Sequence, residues 1–276
     1  MRFVLFLILI NTYVIAQEEV GIANSNYSGT NGLYLNPAST SDSRIFINFN
    51  LVGANLYFSN NQVYLPQFSL VNSIRNGIQE PMVKDNATKK WLYGNFWVDG
   101  PAFTLSHNRF GLGFFTRGRS LLDIRKIPSE LANFYLNGLD HEQQLNKEFD
   151  FRNVEISNMT WVEWGINFSK MFSRHKRVMI FGGNLKYHTG INIAHYKLNR
   201  FNFTATDTTF NIHRLNTNLR YNTGGWNSGK GWGLDLGVIY KKNLESADNF
   251  YAHSPKSQCK VIDYRYKIGL SLMDFG

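Results

Sequence analysis

The side chains best suited by type to acid–base or metal chemistry are seven scattered histidines: His107, His141, His175, His188, His195, His213 and His253. His188 and His195 lie on two stretches that read as neighbouring strands, where a hairpin could bring two imidazoles to one metal ion. Asp140-His141-Glu142 groups an imidazole with two carboxylates, but in a polar stretch that reads as a solvated loop. The sequence contains no Gly-x-Ser-x-Gly, no His-Glu-x-x-His and no phosphate loop. The glycine-rich run 224–231 precedes a strand pattern rather than a helix, so it reads as a loop and not as a phosphate cradle. Asp207-Thr208-Thr209 has the composition of a turn. Cys259 stands alone, which excludes a disulfide framework. The expectation is a protein with no catalytic centre, no metal and no cofactor.

The charges have a different logic. The chain carries a formal +9, spread over pairs such as Lys89-Lys90, Arg125-Lys126, Lys176-Arg177 and Lys241-Lys242. Dispersed basic pairs at strand ends fit anionic lipid head groups or an anion-attracting lumen better than a nucleic-acid stripe. Asn167, Arg214, Arg220, Asp235, Arg265 and Lys267 fall on the polar faces of alternating segments, which makes them candidates to line a lumen. Arg214, Arg220, Arg265 and Lys267 would either solvate that lumen or pair with Glu163 and Asp235.

The elements that must position these residues are strands. Charged residues are only 18% and aromatics 15% of the 276 residues, and period-two alternation recurs throughout. Ile166 and Phe168 alternate with Asn167; Leu234 and Leu236 alternate with Asp235 and Gly237. Nine strands are predicted: 44–56, 101–107, 110–118, 160–172, 178–190, 195–205, 210–221, 231–242 and 262–273. A tenth could hide in 63–70. Asn108-Arg109 and 173–177 read as short turns; 57–100 and 119–159 read as long connections on the other side, and 243–261 breaks that rule. Pro128, Glu130, Leu131, Phe134, Tyr135 and Gly138 mark one helix in a loop. Strands of ~9 to 12 residues with aromatics at their ends match tilted bilayer crossings. Ile166, Phe168, Leu234 and Leu236 should then face lipid, and an inward Gly237→Ser should be better tolerated than Leu236→Arg.

The N-terminus has a basic residue, Arg2, an apolar run over 3–10, and Val14-Ile15-Ala16 ahead of Gln17. This is the pattern of a secretory signal cleaved between Ala16 and Gln17. The predicted organisation is a signal over 1–16, an irregular segment over 17–43 tucked into a barrel or against its periplasmic mouth, and a membrane β-barrel over 44–276, whose odd count of nine strands is expected of a chain truncated at the C-terminus.

Gly32-Leu33-Tyr34-Leu35-Asn36-Pro37-Ala38, followed directly by an alternating strand, resembles outer-membrane barrels of Bacteroidota similar to the long-chain fatty-acid transporter superfamily. Within that type it looks like an uncharacterised family known as a domain of unknown function. Gly94-Asn95-Phe96, Gly100-Pro101 and the last eleven residues from Tyr266 share the resemblance. It implies an antiparallel transmembrane β-barrel, a hatch carrying Asn36, Pro37 and Ala38, and more strands than the nine counted. It further implies location in the outer membrane, contact with lipid including lipopolysaccharide, a small hydrophobic ligand, and no nucleic acid. The expected work is passage of small or hydrophobic molecules, or docking of surface machinery. The alternative from another class is a secreted soluble β-sandwich for adhesion or carbohydrate binding.

Overall fold

A computed structural model describes residues 23–64, 75–77, 82–83, 88–132, 145–206, 209–222, 224–226, 229–247, 253 and 262–276. Its strands are β1 (Ile47–Asn50), β2 (Gly53–Asn60), β3 (Val63–Tyr64), β4 (Met82–Val83), β5 (Lys89–Asp99), β6 (Ala102–His107), β7 (Phe110–Pro128), β8 (Glu148–Arg174), β9 (Arg177–Ala205), β10 (Phe210–Asn222), β11 (Gly229–Asn243) and β12 (Tyr264–Phe275). Ten of them form one antiparallel sheet, and β3 and β4 make a separate ribbon.

Three pairs of these strands are collinear. β1 and β2 meet β6 and β5 in one register, with Asn50 opposite Ala102 and Gly53 opposite Asp99. β5 and β6 share one edge of β7, and β10 and β11 share one edge of β9. Among the described residues the chain therefore makes seven passes, each beside the previous one. Gly100-Pro101 interrupts the second pass, because proline has no N–H to give the ladder. Asn108 (φ 56°) and His175 (φ 53°) take the left-handed conformation that their tight hairpins demand.

The sequence-based boundaries need correcting. β8 has 27 residues and β9 has 29, a reach of roughly 90 Å each. The segments 178–190 and 195–205 are one strand, so His188 and His195 sit seven residues apart on β9, roughly 23 Å at a strand's rise. They cannot share a metal ion. The strand missed in 57–100 is β5; of 63–70 only Val63 and Tyr64 lie among the described residues, and they form β3. Of the stretch 119–159, residues 119–128 belong to β7 and 148–159 to β8. A helical turn begins at Ser129; Phe134, Tyr135 and Gly138 lie outside the described residues, as do Ala16 and Gln17.

The fold is thus mostly antiparallel β. Its outer edges are β1/β2 and β12, and no pairing closes them into a barrel among the described residues. The sheet curls around the N-terminal segment, which contains 3-10 turns at Gly29–Tyr34 and Pro37–Asp42. Leu33 packs on Ala102 and Phe115; Ala38 packs on Met171, Val178, Ile180 and Ile239. A third cluster, Phe151, Phe203 and Ala205, lies at the far end of β8 and β9.

Candidate functional site: the concave face and its N-terminal segment

Burial on the sheet is inverted relative to a soluble β protein. On β8, Asn167 and Ser169 are fully buried while Ile166 is 62% and Phe168 53% exposed. On β11, Asp235 is fully buried and Leu236 is 49% exposed. Period-two alternation sends neighbouring side chains to opposite faces. The concave face is therefore polar and covered, and the convex face apolar and bare. Trp164, Tyr187 and Trp232 form a cross-strand row at one level of the convex face. Phe172, Met179 and Tyr240 form another.

The segment 23–43 is fitted to the concave face by backbone approach. A Cβ added to Gly182 would lie 2.5 Å from Ala38 N and Pro37 C, and one on Gly111 would lie 2.5 Å from Ser41 N. The space beside Gly237 is filled by the Asn36 side chain and Pro37, so serine at 237 would push on the segment, a cost that the strand pattern alone does not signal. Asn36 Oδ1 accepts from Ala38 N at 2.9 Å, and its Nδ2 donates to Val238 O at 3.3 Å and Leu270 O at 3.1 Å. One side chain thereby caps a turn and ties the segment to β11 and β12.

Beneath the segment runs a connected polar lattice. Asn167 donates to Pro37 O at 3.0 Å and to Asn184 Oδ1 at 2.7 Å. Asn184 donates to Leu33 O at 3.2 Å and to Asp235 Oδ2 at 2.9 Å. Lys186 pairs with Asp235 at 2.6 Å and with Asp274. Arg119 reaches both Glu163 and Asp274 at 3.1 Å, linking β7 to β12 across the concavity. Arg117 pairs with Asp99 at 2.6 Å and lies 3.4 Å over the Tyr34 ring. Burial, and then the charge of Asp99, raises the Tyr34 phenol above its ordinary pKa. Asp42 faces Lys241 and Lys267, the latter at 2.8 Å. Burial pushes the Asp42 carboxyl up, but the two ammonium groups outweigh it and hold it below the ordinary value.

Of the residues singled out from sequence, the structure brings Asn36, Pro37, Ala38, Asn167, Asp235 and Lys267 to this interface. Arg214, Arg220 and Arg265 are exposed and away from it. The partners of Glu163 and Asp235 are Arg119 and Lys186, not those arginines. Asn184, Lys186 and Glu163 were signalled by their place on the polar side of the alternation. Asp42, Asp99 and Asp274 were not, because their partners are distant in sequence.

A cavity of about 490 Å³ opens next to this lattice, with Arg119, Glu163, His188 and Asp274 beside Trp161 and Met159. Arg119 pairs there with both Glu163 and Asp274, and Lys230 also lines the cavity. Ser157 Oγ and His195 Nδ1 are 2.9 Å apart, but among the described residues no carboxylate hydrogen-bonds the other imidazole nitrogen, so the pair lacks the group that orients a catalytic base. No described cluster of three or more His, Cys, Asp or Glu could hold a metal ion. The arrangement holds a segment in place.

An antiparallel sheet with inverted faces, wrapped on its own N-terminal segment, is the class that fold and site define. Within it the chain belongs to a family of unknown function, DUF5723, whose model matches residues 37–276. That match starts at Pro37, inside the Asn36-Pro37-Ala38 motif. No curated protein and no solved structure matches significantly.

Proposed function

We propose that the protein is a non-enzymatic outer-membrane β-barrel protein, exported by a signal over 1–16, with its convex face in lipid and residues 23–43 as a plug. The carrying observation is the inversion of burial. Leaving the apolar faces of β8, β9, β11 and β12 in water would expose a contiguous patch far larger than soluble monomers tolerate. The level of Trp164 and that of Phe172 are eight residues apart, about 26 Å along a strand and about 20 Å once tilted, comparable with a lipid-facing band of ~25 Å between aromatic girdles. The resemblance to Bacteroidota barrels of the fatty-acid-transporter type supports the same reading. Its work is controlled passage of small or hydrophobic molecules, or a dock for surface machinery, and its lipid partners include lipopolysaccharide.

Fractionation and heat-modifiable gel mobility test this. The protein should require detergent for extraction and migrate faster unboiled than boiled. Recovery in a soluble fraction without detergent would overturn the proposal in favour of the secreted β-sandwich.

A further inference from the structure

The N-terminal segment meets the sheet along two unlike seams. Against β7, β9 and β11 it is close-packed, with Gly111, Gly182 and Gly237 leaving no room for a Cβ. Against β12 a polar cavity of about 380 Å³ remains, walled by Leu35, Asn36, Ser39, Tyr264, Lys267 and Ser271. Ser39 Oγ is buried there with no hydrogen-bond partner among the described residues. A buried hydroxyl without a partner is costly, and a polar solute or water in the cavity would satisfy it.

The wall is charged in one sense. Lys241 and Lys267 share the single carboxylate of Asp42, and Lys267 also donates to Asn26 Oδ1 at 3.0 Å. Arg44, nearby in the chain, is balanced by Asp263 at 2.6 Å. Two ammonium groups against one carboxylate leave the Lys241–Asp42–Lys267 trio with one surplus positive charge, and of the three only Lys267 lines the cavity. With the unpartnered Ser39 hydroxyl on the same wall, that is the chemistry of a small-anion site.

We infer that the cavity between residues 23–39 and β12 binds small anions of carboxylate or inorganic oxyanion type. Lys267 supplies the selecting charge, and Ser39 is one of the donors. The inference deepens the membrane-protein reading by naming a solute class. It rests on that reading only for passage across a bilayer, since the site itself can be tested in detergent.

The test uses the full chain in detergent, with Cys259→Ser removing the only native thiol and Ser39→Cys placing a reporter in the cavity. Anionic sulfonatoethyl and cationic trimethylammonioethyl methanethiosulfonates are compared, each normalised to its rate with free thiol. Normalisation matters because Lys267 also favours the thiolate, which speeds both reagents alike and cancels in their ratio. The anionic reagent should react about tenfold faster. Lys267→Met should bring the ratio close to one, and Lys267→Arg should preserve it. Ser41→Cys, on the close-packed side, should stay unmodified and so report that the segment is docked. Equal rates for the two reagents at position 39, a ratio indifferent to Lys267→Met, or ready modification at position 41 would each overturn the inference. Fractionation and gel mobility are read separately, so a failure of the anion site and a failure of the membrane reading are distinguishable.

Discussion

Gly182 and Gly183 are adjacent on β9 and face opposite sides of the sheet. A Cβ on Gly182 would strike the backbone of Pro37 and Ala38 at 2.5 Å; one on Gly183 would meet Asp235 O at an ordinary 3.4 Å. The same contrast holds for Ile166 beside Asn167 and for Leu236 beside Asp235. One face is specified by fit and polarity, because a particular segment lies on it. The other is specified by hydrophobicity alone, because nothing described in this chain packs there. Strand geometry supplies the alternation for both faces; only the environment on each side explains why the buried one is the polar one.

The largest effect expected from setting one face against the other is Leu236→Arg. An arginine on the lipid face of a barrel costs ~2–4 kcal/mol at the bilayer midplane. Insertion should fall sharply, read as loss of the fast-migrating unboiled form. Leu236→Ala is the comparator and should insert nearly normally. If arginine inserts as well as alanine, the convex face does not meet lipid.

A smaller effect, on the other face, comes from Gly182→Ala against Gly183→Ala. Overpacking of a close-fitted interior costs ~1–3 kcal/mol. Gly182→Ala should expose residues 23–43 to protease, while Gly183→Ala leaves cleavage at the parent rate. The Cβ at 183 meets only ordinary contacts, the nearest being Asp235 O and the Leu236 side chain. Equal cleavage of the two variants would remove the distinction between a fitted and an unfitted face.

Much of this was legible in the sequence, for a definite reason. Where one face is apolar and the other polar, as in 162–168 and 232–238, a period of two is visible and assigns every side chain to a face. Legibility fails where that contrast fades. Beyond Thr189, β9 carries Asn192, His195, Lys197 and Asn199 among its apolar residues, and its pairing with β8 shifts register near Gly190. One strand of 29 residues therefore reads as two. β5 was hidden because it begins with Lys89-Lys90 and runs into Gly100-Pro101, composition that signals a loop. The position of the N-terminal segment followed from glycine and proline beside residues that need burial. Its contacts did not: Asp42 lies 199 residues from Lys241, and nothing local marks that meeting.

The smallest expected effect is the response of the covered face to acid, and it isolates Asp42. This carboxylate is buried against Lys241 and Lys267, and the ammonium groups hold its pKa below the ordinary value of 3.8 despite burial. A carboxyl whose folded pKa is depressed stabilises the docked state above its unfolded pKa, and that stability is lost as pH falls through the folded value. Docking of the segment should therefore be flat between about pH 5 and 8 and weaken only below about pH 4. Asp42→Asn removes the titration and leaves two partly buried ammonium groups without their counter-charge. Its segment should be more accessible to protease at pH 7, and that accessibility should not rise further on acidification through this window. The convex face has no counterpart, since Leu236→Ala changes no titrating group and should follow the parent profile. Segment release in the parent already at pH 6, or an Asp42→Asn profile that still breaks below pH 4 like the parent's, would show that the latch lies elsewhere in the lattice.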